Sequence, residues 1–437
     1  ERFMWVCPTD ITPIILNHYN KVFDLPGVSK GAKASVIGKI RDDGQYIVHN
    51  DGEEIVNTSA KEVTRGFLYD REFENPNLSL FEPDLSSYKD LGKTLLEILA
   101  HENIASREPI YEKYDKQVQG RVSIESGVAD SGVLTPFNST DYPKEIRKVG
   151  IALSTDHNPR YSMISPYWGG VNAVVEAMRN VASVGATPHA ITDCLCYGNP
   201  EKPKQMWEFV EGTRGISDAC NAITLKDNPS YPTPIIAGNV SFYNESKNGP
   251  IPPSPIVSCL GRLKDIDYVL SMDFQSSGSD ILMVGERKDE LGGSIYYQLL
   301  GELGANVPKP DFVEVRSQIF AITDCAEGGL ILSCHDISDG GIATSIAEMT
   351  FRKNIGCLVK IPGDLQDHKI LFSETGGFVI ETKKENSENV IKVFKAHGLH
   401  ASKIGETGGE YIQLNETIKV KVLEARHRWE NGLREKL

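Results

Sequence analysis

Over the first 65 residues short apolar runs alternate with turn signals. Ala34-Ser35-Val36-Ile37-Gly38-Lys39-Ile40 leads through Asp42-Asp43-Gly44 into Tyr46-Ile47-Val48-His49, and Asp51-Gly52 turns the chain again, a pattern that predicts a hairpin. A helix from Pro13 to Val22, with Ile14, Ile15 and Val22 on its apolar face, is expected before it. Strands of this kind without further sheet partners expose their edges, so this region should be the least stable of the chain. A stretch rich in Pro, Asn and Asp around Asn75 to Asp84 reads as a linker, and Leu91, Leu95, Leu96, Ile98 and Leu99 then recur at the spacing of a packing helix. From Val122 to Leu260 the pattern is mixed α/β. Within it, Val174, Val175, Met178 and Val181 form one stripe of a helix over 171–184, with Gly185 as its C-cap and backbone donors of Pro166 to Gly170 at its start. Beyond Gly261, Asp280 to Gly285 and Leu330 to Cys334 read as buried strands, and Leu291-Gly292-Gly293-Ser294 opens a helix.

Composition narrows the classes. A chain of 437 residues with 40% hydrophobic content can bury a large core in two or more domains. The 46 basic and 60 acidic residues give a net charge of −14, which argues against nucleic acid as a partner; a phosphorylated ligand would be held locally by loop amides, a cation and a few arginines. No apolar run approaches the ~20 residues of a membrane span, and no membrane association is expected. The eight cysteines lack metal-ligand spacing apart from Cys194-x-Cys196, whose one-residue gap suits neither a zinc knuckle nor a disulfide. Reduced, packed thiols in a cytoplasmic protein are expected.

Three polar blocks carry candidate chemistry. Asp193 to Pro203 and Gly238-Asn239-Val240-Ser241-Phe242-Tyr243-Asn244-Glu245 each follow an apolar run, where a strand delivers polar groups to a sheet end. Gly238 to Ser241 offers backbone N–H groups for phosphate, an amide oxygen for a hard cation and a hydroxyl; two ordinary polar loops are the alternative. His335-Asp336-Ile337-Ser338-Asp339-Gly340-Gly341 bridges strand to helix. Its glycine pair can cradle phosphate, and Asp336 and Asp339 can orient magnesium or simply cap the helix.

These blocks, and Asn103 to Arg107, Tyr114 to Gln119, Thr155-Asp156, Pro166-Tyr167-Trp168-Gly169-Gly170, Glu176-Ala177-Met178-Arg179-Asn180 and Gly185-Ala186-Thr187-Pro188, resemble in the right order the second half of phosphoribosylformylglycinamidine synthase. The resembling form is the glutaminase-free subunit II of this purine-biosynthesis enzyme. The resemblance implies an α/β (α+β) architecture: a ferredoxin-like domain forming half of a central barrel, and a flanking α/β domain, together one AIR synthase-like half. The expected parts are 1–65 as the tail of an upstream domain of the same kind, 66–110 as a linker with a helix, 111–260 as the ATP-binding domain and 261–437 as the C-terminal domain. Carried over residue by residue, it implies ATP contacts at Asp193 and Gly238, a magnesium ligand at Asn239 and a substrate contact at Ser241. Asp130, Asp156, Glu245, His335, Asp336, Asp339, Gly340 and Gly341 are weaker candidates. Around Asp130, in Gly127-Val128-Ala129-Asp130-Ser131-Gly132-Val133-Leu134, part of the family's glycine pattern is replaced, and a polar turn is the alternative.

The family's catalytic histidine loop and its Glu-Ser-Gln substrate segment belong to an upstream half, so no catalytic residue is expected here. His157 stands as a pseudo-symmetric remnant, and Glu374-Thr375-Gly376-Gly377 lacks the arginine usual in its loop. The implied ligands are formylglycinamide ribonucleotide, ATP and Mg2+. The implied partners are a separate glutaminase subunit, a small bridging subunit, and the upstream half or a second copy. Two alternatives are an aminoimidazole ribonucleotide synthetase-like enzyme, which fits the segments at 103–119 and 199–203 poorly, and a non-catalytic ATP-holding module.

Overall fold

The computed structural model describes residues 2–66, 68–85 and 90–437, so that positions 67 and 86–89 of the expected linker lie outside the described residues. Two units emerge, Glu1–Asp70 and Arg71–Leu437. In the first, the expected helix is present as Thr12–Asn17 running into a π-helical turn His18–Val22, but Ile14 and Val22 stay exposed. The hairpin pairs Gln45–Asn50 with Glu53–Ser59 around Asp51-Gly52. Residues 34–40, expected as a strand, form none. Their apolar run finds no partner backbone, and a strand exists only where a ladder satisfies it.

The second unit is built on two sheets. The first has the order Val122–Ile124, Gly132–Leu134, Gly150–Asp156, Ser254–Leu263, Thr187–Cys196, Ile235–Ser241, with only the last pair parallel. Helices Pro166–Ser183 and Pro203–Ala222 cover one face of it. Alternation shows on Ser254–Leu263: Val257, Cys259 and Leu263 face the helices and are buried, whereas Leu260 faces the other way. Leu153 and Leu134 share that second face and are 52% and 45% exposed, so no layer among the described residues of this unit covers it.

The second sheet runs Ser333–Ile337, Gly377–Thr382, Asp280–Val284, Ala401–Thr407, Cys357–Val359, Tyr411–Leu414, Ile418–Lys421. Helix Leu91–Leu99, capped by Asp90, packs into the core beneath it through Leu91, Leu95, Ile98 and Leu99. Residues 71–85 carry no helix or strand, and Glu82 pins them: its Oε1 accepts from the N–H groups of Ala305 and Asn306 at 2.7 and 2.6 Å, and its Oε2 from the Tyr297 hydroxyl at 2.6 Å. Helix Pro166–Ser183 packs on the first sheet and also against Ser333–Ile337 and Phe312–Glu327, which removes its solvent face. Glu176 and Arg179 are buried with it. Among the described residues no helix is long and apolar enough to cross a membrane.

Candidate functional site

Strand Ser333–Ile337 is buried throughout although it carries His335 and Asp336, because other polar side chains meet them. His335 Nδ1 lies 2.7 Å from Asp130 Oδ1, and its Nε2 lies 3.0 Å from Glu348 Oε2, which belongs to helix Gly341–Phe351. Glu348 accepts in turn from Trp429 Nε1 at 2.9 Å. The second oxygen of Asp130 accepts from the Asp336 N–H at 3.0 Å. Burial pulls the His335 imidazolium down, but Asp130 and Glu348 outweigh it and hold its pKa well above the usual value.

Around this strand end the sheets and helix Pro166–Ser183 collect further carboxylates. Asp156, at the end of its strand, accepts from Asn180 Nδ2 at 3.0 Å; Asp339 accepts from Asn158 Nδ2 at 3.1 Å; Glu176 is 8% exposed. Burial first, and then the neighbouring acids, push Asp156 and Glu176 up, and burial likewise raises Asp336 and Asp339. Against them stands Arg179, whose Nε is 3.6 Å from Asp336 Oδ2. That oxygen has no hydrogen-bond partner among the described residues. Ligand atoms of Asp130, His335 and Asp336 lie within 4.8 Å of one another. An orphaned carboxylate oxygen among further acids fits a hard divalent cation such as magnesium, with Asp130 and Asp336 as the oxygen donors.

The glycine pair behaves differently from expectation. Gly340 and Gly341 both have positive φ, +79° and +70°, and a Cβ on Gly341 would lie 2.7 Å from the Leu371 carbonyl oxygen. Both N–H groups are used by the chain itself: Gly340 donates to Glu374 Oε1 at 2.7 Å and Gly341 to the Ser338 carbonyl at 2.9 Å. Glu374 Oε1 also accepts from Ile295 N–H at 2.9 Å, and Glu374 Oε2 from the Tyr161 hydroxyl. A carboxylate of the protein thus stands where phosphate was expected. The capping alternative for Asp336 and Asp339 fails too, since helix Gly341–Phe351 has no side-chain cap. His157 is held down to about 4 by burial, and its Nδ1 has no hydrogen-bond partner among the described residues.

The other candidates sit farther along the first sheet. Asp156, Val257, Asp193 and Gly238 are register partners on four adjacent strands, so they form one row, and at ~4.8 Å per strand Asp193 lies roughly 10 Å from Asp156. Asp193 shares the helix-facing side of Val257, and burial pushes its carboxyl up. A Cβ on Gly238 would stand 2.3 Å from Asp193 Oδ1, so the carboxylate occupies the space that a larger residue would need. Alternation turns Asn239 and Ser241 to the opposite, open face. Asn239 is exposed, and Ser241 Oγ donates to Asn244 Oδ1 at 3.2 Å. Glu245 is tied to Lys202 at 2.7 Å. The candidates therefore fall into a buried acidic group and an open sheet corner, linked by the row through Asp156 and Asp193. Glu176 and Asn180 did not stand among the expected site residues. Their signal was a polar pair four residues apart on a helix whose valine stripe is apolar. Glu348 and Trp429 gave no local signal.

Two consecutive domain families match the chain: AIR synthase related protein, N-terminal domain, over residues 130–263, and AIR synthase related protein, C-terminal domain, over residues 276–414. The fold is thus that of an AIR synthase-related protein: a ferredoxin-like domain with half of a barrel sheet, and a flanking α/β domain. Phosphoribosylformylglycinamidine synthase subunit PurL of Methanothrix thermoacetophila is 43% identical over 442 aligned residues, covering 100% of this chain and 57% of that protein. The same subunit of Methanothermobacter thermautotrophicus is 34% identical, with 95% of this chain and 55% of that protein covered. Among solved structures, Thermotoga maritima PurL complexed with FGAR superposes with a TM-score of 0.60 at 19% identity, over 79% of this chain and 54% of that one. PurLQS of the same organism gives 0.59 at 17%, over 80% and 52%. The chain belongs to the AIR synthase-related proteins, and along its whole length it is similar to subunit PurL of phosphoribosylformylglycinamidine synthase. It spans about half the length of the curated relatives it matches, at 57% and 55%.

Proposed function

We propose that this chain supplies one half of an ATP-dependent C–N ligase that converts formylglycinamide ribonucleotide, ATP and ammonia into formylglycinamidine ribonucleotide, ADP and phosphate. The observation that carries this reading is the 43% identity to a PurL subunit along the whole chain. The chemistry explains the need for ATP. An amide oxygen leaves poorly, so its phosphorylation creates a leaving group that ammonia then displaces as phosphate. In this reading Asp193 and the close backbone at Gly238 hold the nucleotide, and Asn239 and Ser241 present an amide oxygen and a hydroxyl from the open face. Magnesium, when bound, supplies charge neutralisation at the phosphates; Asn239 is the candidate ligand at the open corner, and Asp130 and Asp336 are those of the buried group.

The buried acidic group favours a second role beside the first, a nucleotide–metal site that holds ATP without turning it over. Its donor oxygens support that role, whereas its glycine amides, bonded to Glu374 and Ser338, leave the phosphates to the cation and not to the loop. The uncovered sheet face fits the remaining half of the protein or a second copy, and ammonia is assigned to a separate glutaminase subunit with a small bridging subunit, in the cytoplasm. The test is ammonia-dependent ADP release in the presence of formylglycinamide ribonucleotide. This chain alone should be inactive, and activity should appear when the other half is supplied. Asn239→Leu should then abolish turnover per folded molecule. Wild-type turnover with an unchanged magnesium midpoint would remove Asn239 from the site.

A further inference from the structure

Cys194 and Cys196 are two residues apart on strand Thr187–Cys196, so alternation turns both thiols to the open face of the sheet. Their register partners are Ile256 and Ser254 on one side and Asn239 and Ser241 on the other. The two Sγ atoms are 3.7 Å apart, and both residues are reduced and half-buried. Five of the other cysteines are buried, and Cys7 belongs to the first unit.

The separation discriminates between the things two thiols can do. Two thiolates on one tetrahedral ion of zinc size, at ~2.3 Å each, stand about 3.8 Å apart, so the pair can grip such an ion with little movement. A disulfide needs its sulfurs at ~2.05 Å and its Cβ atoms near ~3.8 Å. Reaching that from alternate positions would pull together a strand that is laddered on both edges, to Ser254–Leu263 and to Ile235–Ser241. Magnesium is a hard ion and avoids sulfur, whereas zinc and cadmium favour it.

We propose that Cys194 and Cys196 form a binding site for a soft, thiophilic divalent cation of the zinc and cadmium class, with solvent oxygens completing its shell. The proposal stands without the nucleotide reading, because it uses neither Asp193 nor the buried acids. Its consequence reaches that corner all the same: Asn239 and Ser241 are the direct neighbours of the two thiols, so an ion held there crowds both. Burial and then the hydrogen bond with Cys194 push the Cys196 thiol up, so cation uptake releases protons and weakens as pH falls.

Cadmium titration of the reduced chain, followed by its ultraviolet thiolate-to-metal charge-transfer band, tests this. The expected result is saturation at one cadmium per chain, undisturbed by excess magnesium. Affinity should fall at least about tenfold in Cys194→Ser and in Cys196→Ser but stay unchanged in Cys7→Ser. Proton release on cadmium addition to the unmodified chain gives a readout that depends on no variant's folding. A wild-type chain without a stoichiometric band, or a Cys194→Ser/Cys196→Ser double variant that binds cadmium as tightly as wild type, would overturn the proposal.

Discussion

One added carbon at Gly238 would meet Asp193 Oδ1 at 2.3 Å, so Gly238→Ala must displace either the carboxylate or the edge strand. The complete protein carrying it should lose nucleotide affinity by about tenfold or more while melting within a few degrees of wild type, because the strand lies at the sheet's exposed edge. Calorimetric ATP titration separates the two effects, and unchanged affinity would free Asp193 from the nucleotide role. Asp156 makes a pH prediction. Its carboxyl is pushed from the ordinary 3.8 to about 8, so the folded chain binds a proton that the unfolded chain has released. A raised folded value gives stability that is present below pH ~4 and lost as pH rises through about 8. Asp156→Asn should therefore flatten the fall in melting temperature between those limits and stabilise the chain at pH 8, since each tenfold change in proton affinity is worth about 1.4 kcal/mol. A slope equal to wild type would place the proton elsewhere. Asp193, Gly238 and the acids of His335 to Gly341 were legible as short polar residues after an apolar run, although Asp193, Gly238 and Asp336 lie within their strands and only Asp339 follows a strand end. What was illegible was pairing: nothing local shows that Glu374 would take the Gly340 amide, or that Glu348 and Trp429 would back His335.

Helix starts carry the site at the next scale. Asn158 caps Pro159–Ile164 by accepting from Arg160 N–H at 2.9 Å and Tyr161 N–H at 3.4 Å, and its amide nitrogen bonds Asp339. Asn158→Ala removes all three interactions and should cost about 1–2 kcal/mol, read as a lower urea midpoint with unchanged slope. A cost near zero would show that the cap is replaced by solvent. Helix Pro166–Ser183 is legible in its valine stripe, although the stripe does not tell that its polar side is buried too. The apolar run that ends at Cys334 places strand Ser333–Ile337 too early, over 330–334. The strand continues through His335 and Asp336, since Asp130 and Glu348 meet those side chains. The run at 34–40 shows the opposite error: apolar pattern without a partner strand gives no strand.

At the scale of the molecule, the retained sheet corner and buried acids predict that Mg-ATP stabilises this chain even without turnover. Mass action gives RT ln(1 + [L]/Kd), about 2.7 kcal/mol at a hundredfold excess over Kd, visible as a rising melting temperature. Unchanged melting at millimolar Mg-ATP would count against both nucleotide readings. The order of the two domains came with the family resemblance and not with any change of period, and two families match in that order, over 130–263 and 276–414; strand Ser254–Leu263 runs across position 260 without a change in pattern. The linker also conceals its own weight. Residues 71–85 have no regular structure, yet Glu82 gives two amides and a phenol their acceptor. Dissection of the protein by protease would thus meet two different boundaries. A cut at 68–70 leaves this latch attached to the second unit. A fragment beginning at Asp90 loses three bonds of about 1 kcal/mol each, and a peptide spanning 71–85, added back, should rebind it and restore its melting temperature.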